Sequence, residues 1–119
     1  MKENKFQSRV SDLMSSCGFY TLNVHGHMMQ ASGWPDLMGF HRRGALLAEL
    51  KVGRSPLRAS QKVVADNLEQ RGWRTVVFRL VSEKIMECEG AKFHLESSPV
   101  QFLEWVTPFL NKTQKSIAP

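Results

Sequence analysis

The sequence predicts a single α/β domain in which a small mixed β-sheet is flanked by helices. Three observations lead there. With 119 residues, the chain has room for one compact domain. Hydrophobic residues make up 42% and charged residues 23%, the usage of a globular chain with a core rather than of a disordered or fibrous one. Apolar periodicity runs helix, strand, strand, strand, helix, strand and then helical additions, an order that suits a mixed sheet covered by helices.

The elements follow in order. Phe6, Val10, Leu13, Met14 and Cys17 recur at helical spacing and Gly18 stands where a helix would stop, which predicts a helix from Glu3 to Cys17. FYTLNV reads as a strand and HGHMMQASGW as a loop. PDLMGF and ALLAELK are two short apolar strands joined by the turn HRRG, hence a hairpin. Ser55-Pro56 is a helix start, a capping side chain before a proline whose missing N–H costs nothing there, and this helix is expected to run to Arg71 and stop at Gly72. TVVFRL is a continuous β-rich run, as for a strand buried on both faces, and Ser82 is expected to begin a short helix through Cys88. KFHLES reads as an edge strand. Ser98-Pro99 opens a helix carrying Val100, Leu103, Val106 and Leu110, and NKTQKSIAP is expected to be a frayed tail.

The 16 Lys and Arg against 11 Asp and Glu give a formal net charge of +5, which favours a polyanionic partner. Cys17 and Cys88 are the only cysteines, with no Cys-x-x-Cys pair, so a reducing, cytoplasmic setting is expected. The start MKENKFQSRV lacks an apolar stretch after its charges, and no run of ~18 apolar residues occurs, so neither a signal peptide nor a membrane span is expected.

Polar residues stand at several positions where apolar ones belong. In ALLAELK, strand alternation puts Glu49 and Lys51 on one side with Leu47, while Leu46, Ala48 and Leu50 face the other. A lone Glu-x-Lys can equally be a soluble strand edge. Asp36 opens the strand that HRRG turns back beside ALLAELK, so two carboxylates can converge at one end of the hairpin. Gly33 before them permits close backbone approach to a ligand, or is an ordinary turn glycine. Gln61 shares a helical face with Leu57, Val64 and Leu68, which aims an amide at the sheet, either for function or as a satisfied buried contact. Glu3 precedes Phe6 and Val10 on the buried stripe of the first helix. It either points to the same place or serves the helix dipole.

Two or three carboxylates with an amide or backbone carbonyl make a hard oxygen site suited to Mg²⁺ or Mn²⁺. A lysine beside such a metal can orient water or offset charge on a phosphorane-like transition state, which is the machinery of phosphodiester hydrolysis. Arg42 and Arg43 on the hairpin turn, with Arg54, Arg58 and Lys62 around the start of the second helix, are candidate phosphate contacts, and Ser32 is a candidate contact to the scissile phosphate. His25 and His27 flank Gly26 but lack the second ligand pair that structural zinc needs, so they read as loop residues near substrate.

Gly33-Trp34-Pro35-Asp36, then Glu49-Leu50-Lys51, then Ser55-Pro56 and Gln61, resemble the VRR-NUC family of the PD-(D/E)XK nuclease superfamily in order and spacing. The resemblance implies a restriction-endonuclease-like core over residues 1–90, with 91–119 as a C-terminal extension of the same domain. It implies Asp36 and Glu49 as metal ligands, the Leu50 carbonyl as a further ligand, Lys51 as the catalytic lysine, Gln61 as a supporting residue and Glu3 as the acidic residue of the first helix. It further implies a structure-selective endonuclease of phage or bacterial type, similar in role to Holliday-junction resolvases, acting on branched DNA as a homodimer. Phe102, Trp105, Phe109 and Leu110 either form the dimer interface or pack on their own domain. Two other readings are a non-catalytic nucleic-acid-binding module and a nuclease subunit of a larger complex.

Overall fold

The computed structural model describes residues 1–23 and 32–112. Helix α1 (Glu3–Ser16) leads into β1 (Tyr20–Asn23), β2 (Leu37–His41) and β3 (Gly44–Val52). Helix α2 (Ala59–Gln70) then crosses to β4 (Val76–Ser82), which continues into β5 (Ile85–Cys88), β6 (Ala91–His94), α3 (Pro99–Val106) and a single 3₁₀ turn, Thr107–Phe109. The six strands lie in sequence order in one sheet. Only β3 and β4 pair in parallel; the other neighbours are antiparallel. A parallel pair needs a crossover, and α2 supplies it. The fold class is the mixed α/β arrangement that the sequence predicts. None of the helices among the described residues is long and apolar enough to cross a membrane.

The sheet has one dry face. Phe6, Val10, Leu13 and Met14 of α1 and Phe102 and Val106 of α3 pack on Leu37, Leu46, Ala48, Leu50, Val76, Phe78, Leu80, Met86 and Cys88, all buried. Gly39 in β2 lies directly under α1: a Cβ there would stand 2.1 Å from Met14 Cε, so Met14 would have to move. Phe102, Phe109 and Leu110 are buried in this core, and Trp105 packs partly buried against Phe78 and Phe93. These residues therefore pack on their own domain, and a dimer interface made of them is ruled out.

Four local expectations are corrected. The segment from Ser82 to Cys88 is not a helix but a hairpin turn and strand β5, because Met86 and Cys88 are buried while Ile85 and Glu87 are only half so, a period of two. In β4, Val76, Phe78 and Leu80 are buried but Val77, Arg79 and Val81 are half-exposed, so this strand is fully covered on one face only. Helix α2 begins at Ala59, not after Ser55: Arg79 Nη1 donates to the Ser55 carbonyl at 2.6 Å and to the Gly53 carbonyl at 3.2 Å, which holds the approach segment out of the helix. Helix α3 gives way at Thr107, one residue before Pro108, whose ring nitrogen has no hydrogen to continue the ladder. Ser98 does cap it, accepting from Gln101 N at 3.2 Å.

Candidate active site

The hairpin β2–β3 is in register from His41 opposite Gly44 to Leu37 opposite Ala48. Beyond that last rung Pro35 has no N–H to offer, and the Asp36 carboxylate stands in for the missing strand partner: its Oδ2 accepts from Leu50 N at 2.9 Å. Asp36 is thereby fixed beside Glu49. The two carboxylates converge at the open end of the hairpin.

Glu49 is only 5% exposed. Both of its carboxyl oxygens are buried, and among the described residues Asp36 alone stands as their hydrogen-bonding neighbour. Burial first, and then the Asp36 carboxyl beside it, push Glu49 from the usual 4.5 up to about 8, against the opposing pull of Lys51. At neutral pH the metal-free pair thus holds a proton. Lys51 is half-buried on the same sheet face, opposite Arg79 of β4.

Helix α2 closes the site from above. Gly33, Pro35, Glu49, Leu57, Gln61, Ala65, Thr75, Val76 and Val77 line one small cleft. Gly33 fits against the protein's own backbone: with φ +92°, a Cβ would sit 2.2 Å from the Ser60 carbonyl oxygen. Gln61 is buried, and its Oε1 accepts from Arg58 N at 2.8 Å, so its amide oxygen caps α2 while the side chain lines the cleft with Glu49.

Sequence reasoning missed Gln7. It is buried, and Nε2 donates to Asn23 Oδ1 at 2.9 Å and to the Asp36 carbonyl at 3.4 Å, tying α1 and the end of β1 to the backbone of the site. The signal was available, since Gln7 lies three residues before Val10 and seven before Met14 on the buried stripe. Glu3, one turn earlier, is exposed and makes no hydrogen bond or ion pair among the described residues.

The basic residues divide. Arg54 and Arg58, on the approach to α2, and Lys62 on it are exposed, as is Ser32. Arg42 and Arg43 occupy the closed end of the hairpin, opposite to Asp36, and so do not border the carboxylates. Arg43 turns to α3, with Nη1 at 3.1 Å from Thr107 Oγ1 and 3.5 Å from Glu104. His25 and His27 lie outside the described residues.

The buried Glu49 carboxyl and the half-buried Asp36 carboxylate are hard donors, and no group of three His, Cys, Asp or Glu that could hold a metal occurs among the described residues. That set fits Mg²⁺ or Mn²⁺, which accept one or two protein carboxylates and fill the remaining positions with water and phosphate oxygen. It does not fit a closed structural zinc site, which takes four protein ligands.

No family model matches the chain, and no curated protein matches it. Among solved structures, it is similar to Hjc of Archaeoglobus fulgidus, a Holliday junction resolvase from an archaeal hyperthermophile, with 16% identity and a TM-score of 0.56. The match covers 78% of this chain and 77% of that one. The six-stranded mixed sheet with its flanking helices is the fold of that resolvase.

Proposed function

We propose that this protein is a Mg²⁺- or Mn²⁺-dependent endonuclease that hydrolyses phosphodiester bonds in DNA, selects branched structures and acts as a homodimer. The observation that carries the reading is the buried Glu49 carboxyl, set against the Asp36 carboxyl and given no other hydrogen-bonding partner among the described residues. Burying one carboxyl against another costs stability, and a cation between them would return it. A pure binding module gains nothing from such a pair beside a phosphate backbone, so the non-catalytic reading is disfavoured. The fold shared with a resolvase supports the choice of branched DNA.

Asp36, Glu49 and the Leu50 carbonyl would hold the cation, which supplies Lewis-acid polarisation of the phosphate and activation of water. The chain's own residues do the rest. Asp36 is oriented by the Leu50 N–H and needs no reorganisation. Lys51 shares the face of Glu49 and presents positive charge to the phosphoryl oxygens as negative charge builds there. Gln61 fixes the first turn of α2 against the cleft, and Gln7 fixes the backbone of Asp36. Arg54, Arg58 and Lys62 border this end of the sheet and would track the phosphates on either side of the cut.

The test is a cleavage panel of four-way junction, flap, fork and linear duplex with Mg²⁺ or Mn²⁺, run beside Glu49→Ala. Metal-dependent cutting of branched substrates that is lost in the variant is expected. Metal-independent cutting, or a variant as active as the parent, would overturn the assignment.

A further inference from the structure

The β1–β2 end of the sheet leaves rings in solvent. Pairing sets Tyr20 opposite Phe40 and Leu22 opposite Met38. Phe40 and Met38 in turn lie opposite Ala45 and Leu47 on β3, so all four stand on the sheet face that carries Glu49 and Lys51. Tyr20 is 78% exposed, Leu22 52% and Phe40 44%. Helices α1 and α3 cover the other face, and α2 stands over Glu49 and Val77. An apolar patch left open in this way marks a binding surface.

Its position and its charge surroundings identify the occupant. Asp36 precedes Phe40 by four residues along one extended segment. That is about 13 Å at ~3.3 Å per residue, or some four nucleotides at ~3.4 Å each. Cations lie at both ends of this track, with exposed Arg42 beside Phe40 and Lys51 beside Glu49. Directly opposed residues of an antiparallel pair hold their Cβ atoms about 5 Å apart, so Tyr20 and Phe40 make one continuous platform. Three or four side chains fall well short of the ~800 Å² per partner that a stable dimer buries. Two flat rings on a basic protein, in line with a phosphodiester site, match bases and backbone together.

We propose that Tyr20 and Phe40 form a stacking platform for unpaired nucleobases, which receives the single-stranded arm of a branched DNA whose scissile phosphate sits at Asp36 and Glu49. The proposal rests on the nuclease reading and names the feature of the substrate that this site selects.

Binding is measured in EDTA, so that no cutting intervenes, with a fluorescent duplex bearing a thymidine flap and with a fully paired duplex of equal length. Tyr20→Ala and Phe40→Ala should each weaken flap binding roughly tenfold and duplex binding by less than about twofold, and Tyr20→Phe should bind as the parent does. Equal losses on both DNAs, or none, would overturn the platform. So would a dimer in the parent that becomes monomeric in the variants by light scattering, which would make the patch an interface between copies. Cleavage of the same flap by the parent with Mn²⁺ separates the two readings. A parent that cuts, with variants that bind the flap normally, removes the platform alone. A parent that cuts nothing, with variants that lose flap binding selectively, removes the nuclease reading and keeps the platform.

Discussion

Glu49 has a carboxyl that the protein buries against the carboxyl of Asp36, and its titration is the handle on the site. Its value in the folded protein, about 8, lies above the ordinary 4.5, so between these limits the folded chain binds more protons than the unfolded one. Its contribution to stability is therefore full below about 4.5, falls as pH rises and is gone above about 8. Urea denaturation in EDTA at pH 5, 6.5, 8 and 9 should show that decline in the parent and not in Glu49→Gln. A divalent cation must displace the same proton, so its apparent affinity should rise with pH and level off above about 8, with proton release seen by calorimetry in two buffers. Glu49→Gln should lose at least ~100-fold in metal-dependent cleavage, since loss of even an outer-shell partner of a metal costs up to that much. At pH 9 in EDTA the same variant should melt roughly 3–8 °C above the parent, because a neutral amide replaces a buried charge. The pairing of those two outcomes separates a functional carboxylate from a structural one. Cys88 gives a simpler case: burial, helped by Glu89, pushes its thiol up to about 12, so iodoacetamide at pH 8 should leave it unmodified until the protein is unfolded.

At the level of elements, what the sequence reveals depends on whether the physical cause is local. The carboxylates were legible because strand alternation in ALLAELK sets Glu49 and Lys51 together on the face opposite Leu46, Ala48 and Leu50, and the short turn between PDLMGF and ALLAELK forces Asp36 alongside. Strand β5 was not, because four residues, IMEC, are too few to show a period and Ser82-Glu83-Lys84 suits a turn as well as a helix start. The start of α2 was displaced by Arg79, a residue 24 positions beyond the Ser55 carbonyl that it holds. Gln7 lay within reach of the same periodicity, on the buried stripe of α1 with Val10 and Met14, but its partners Asn23 and Asp36 are set by the tertiary fold. Asn111 was hidden more deeply. Its backbone extends β3 by pairing with Ala45, and its side chain accepts from Arg74 N at 2.6 Å and donates to the carbonyls of Arg74 at 2.8 Å and Ala45 at 3.3 Å, partners 37 and 66 residues away. Asn111→Ala should cost about 2–4 kcal/mol in chemical denaturation, because two partly buried strand ends lose their partners. Gly33→Ala should cost at least as much and weaken the site too, since the added methyl collides with the backbone of α2 and the positive φ disfavours it.

Across the whole molecule, the two faces of the sheet divide the work. One is filled by α1 and α3 and carries the core, while the other holds the carboxylates under α2 and stays open toward β1 and β2. This division gives each copy of the chain one Asp36 and Glu49 pair under α2. On the proposed mechanism one protomer cuts one strand. Symmetric resolution of a junction needs two protomers related by a two-fold axis, each bringing its own Asp36 and Glu49 to one strand. Mixing tests this directly. If protomers pair at random, equal amounts of parent and Glu49→Gln leave about half of the dimers with one working site. On a cruciform plasmid such mixtures should accumulate nicked circles at the expense of linear product, and the ratio of nicked to linear should rise with the share of variant. A ratio that stays constant while the total rate falls would mean that each protomer cuts alone, and would remove the homodimer from the proposed mechanism while leaving the site itself intact.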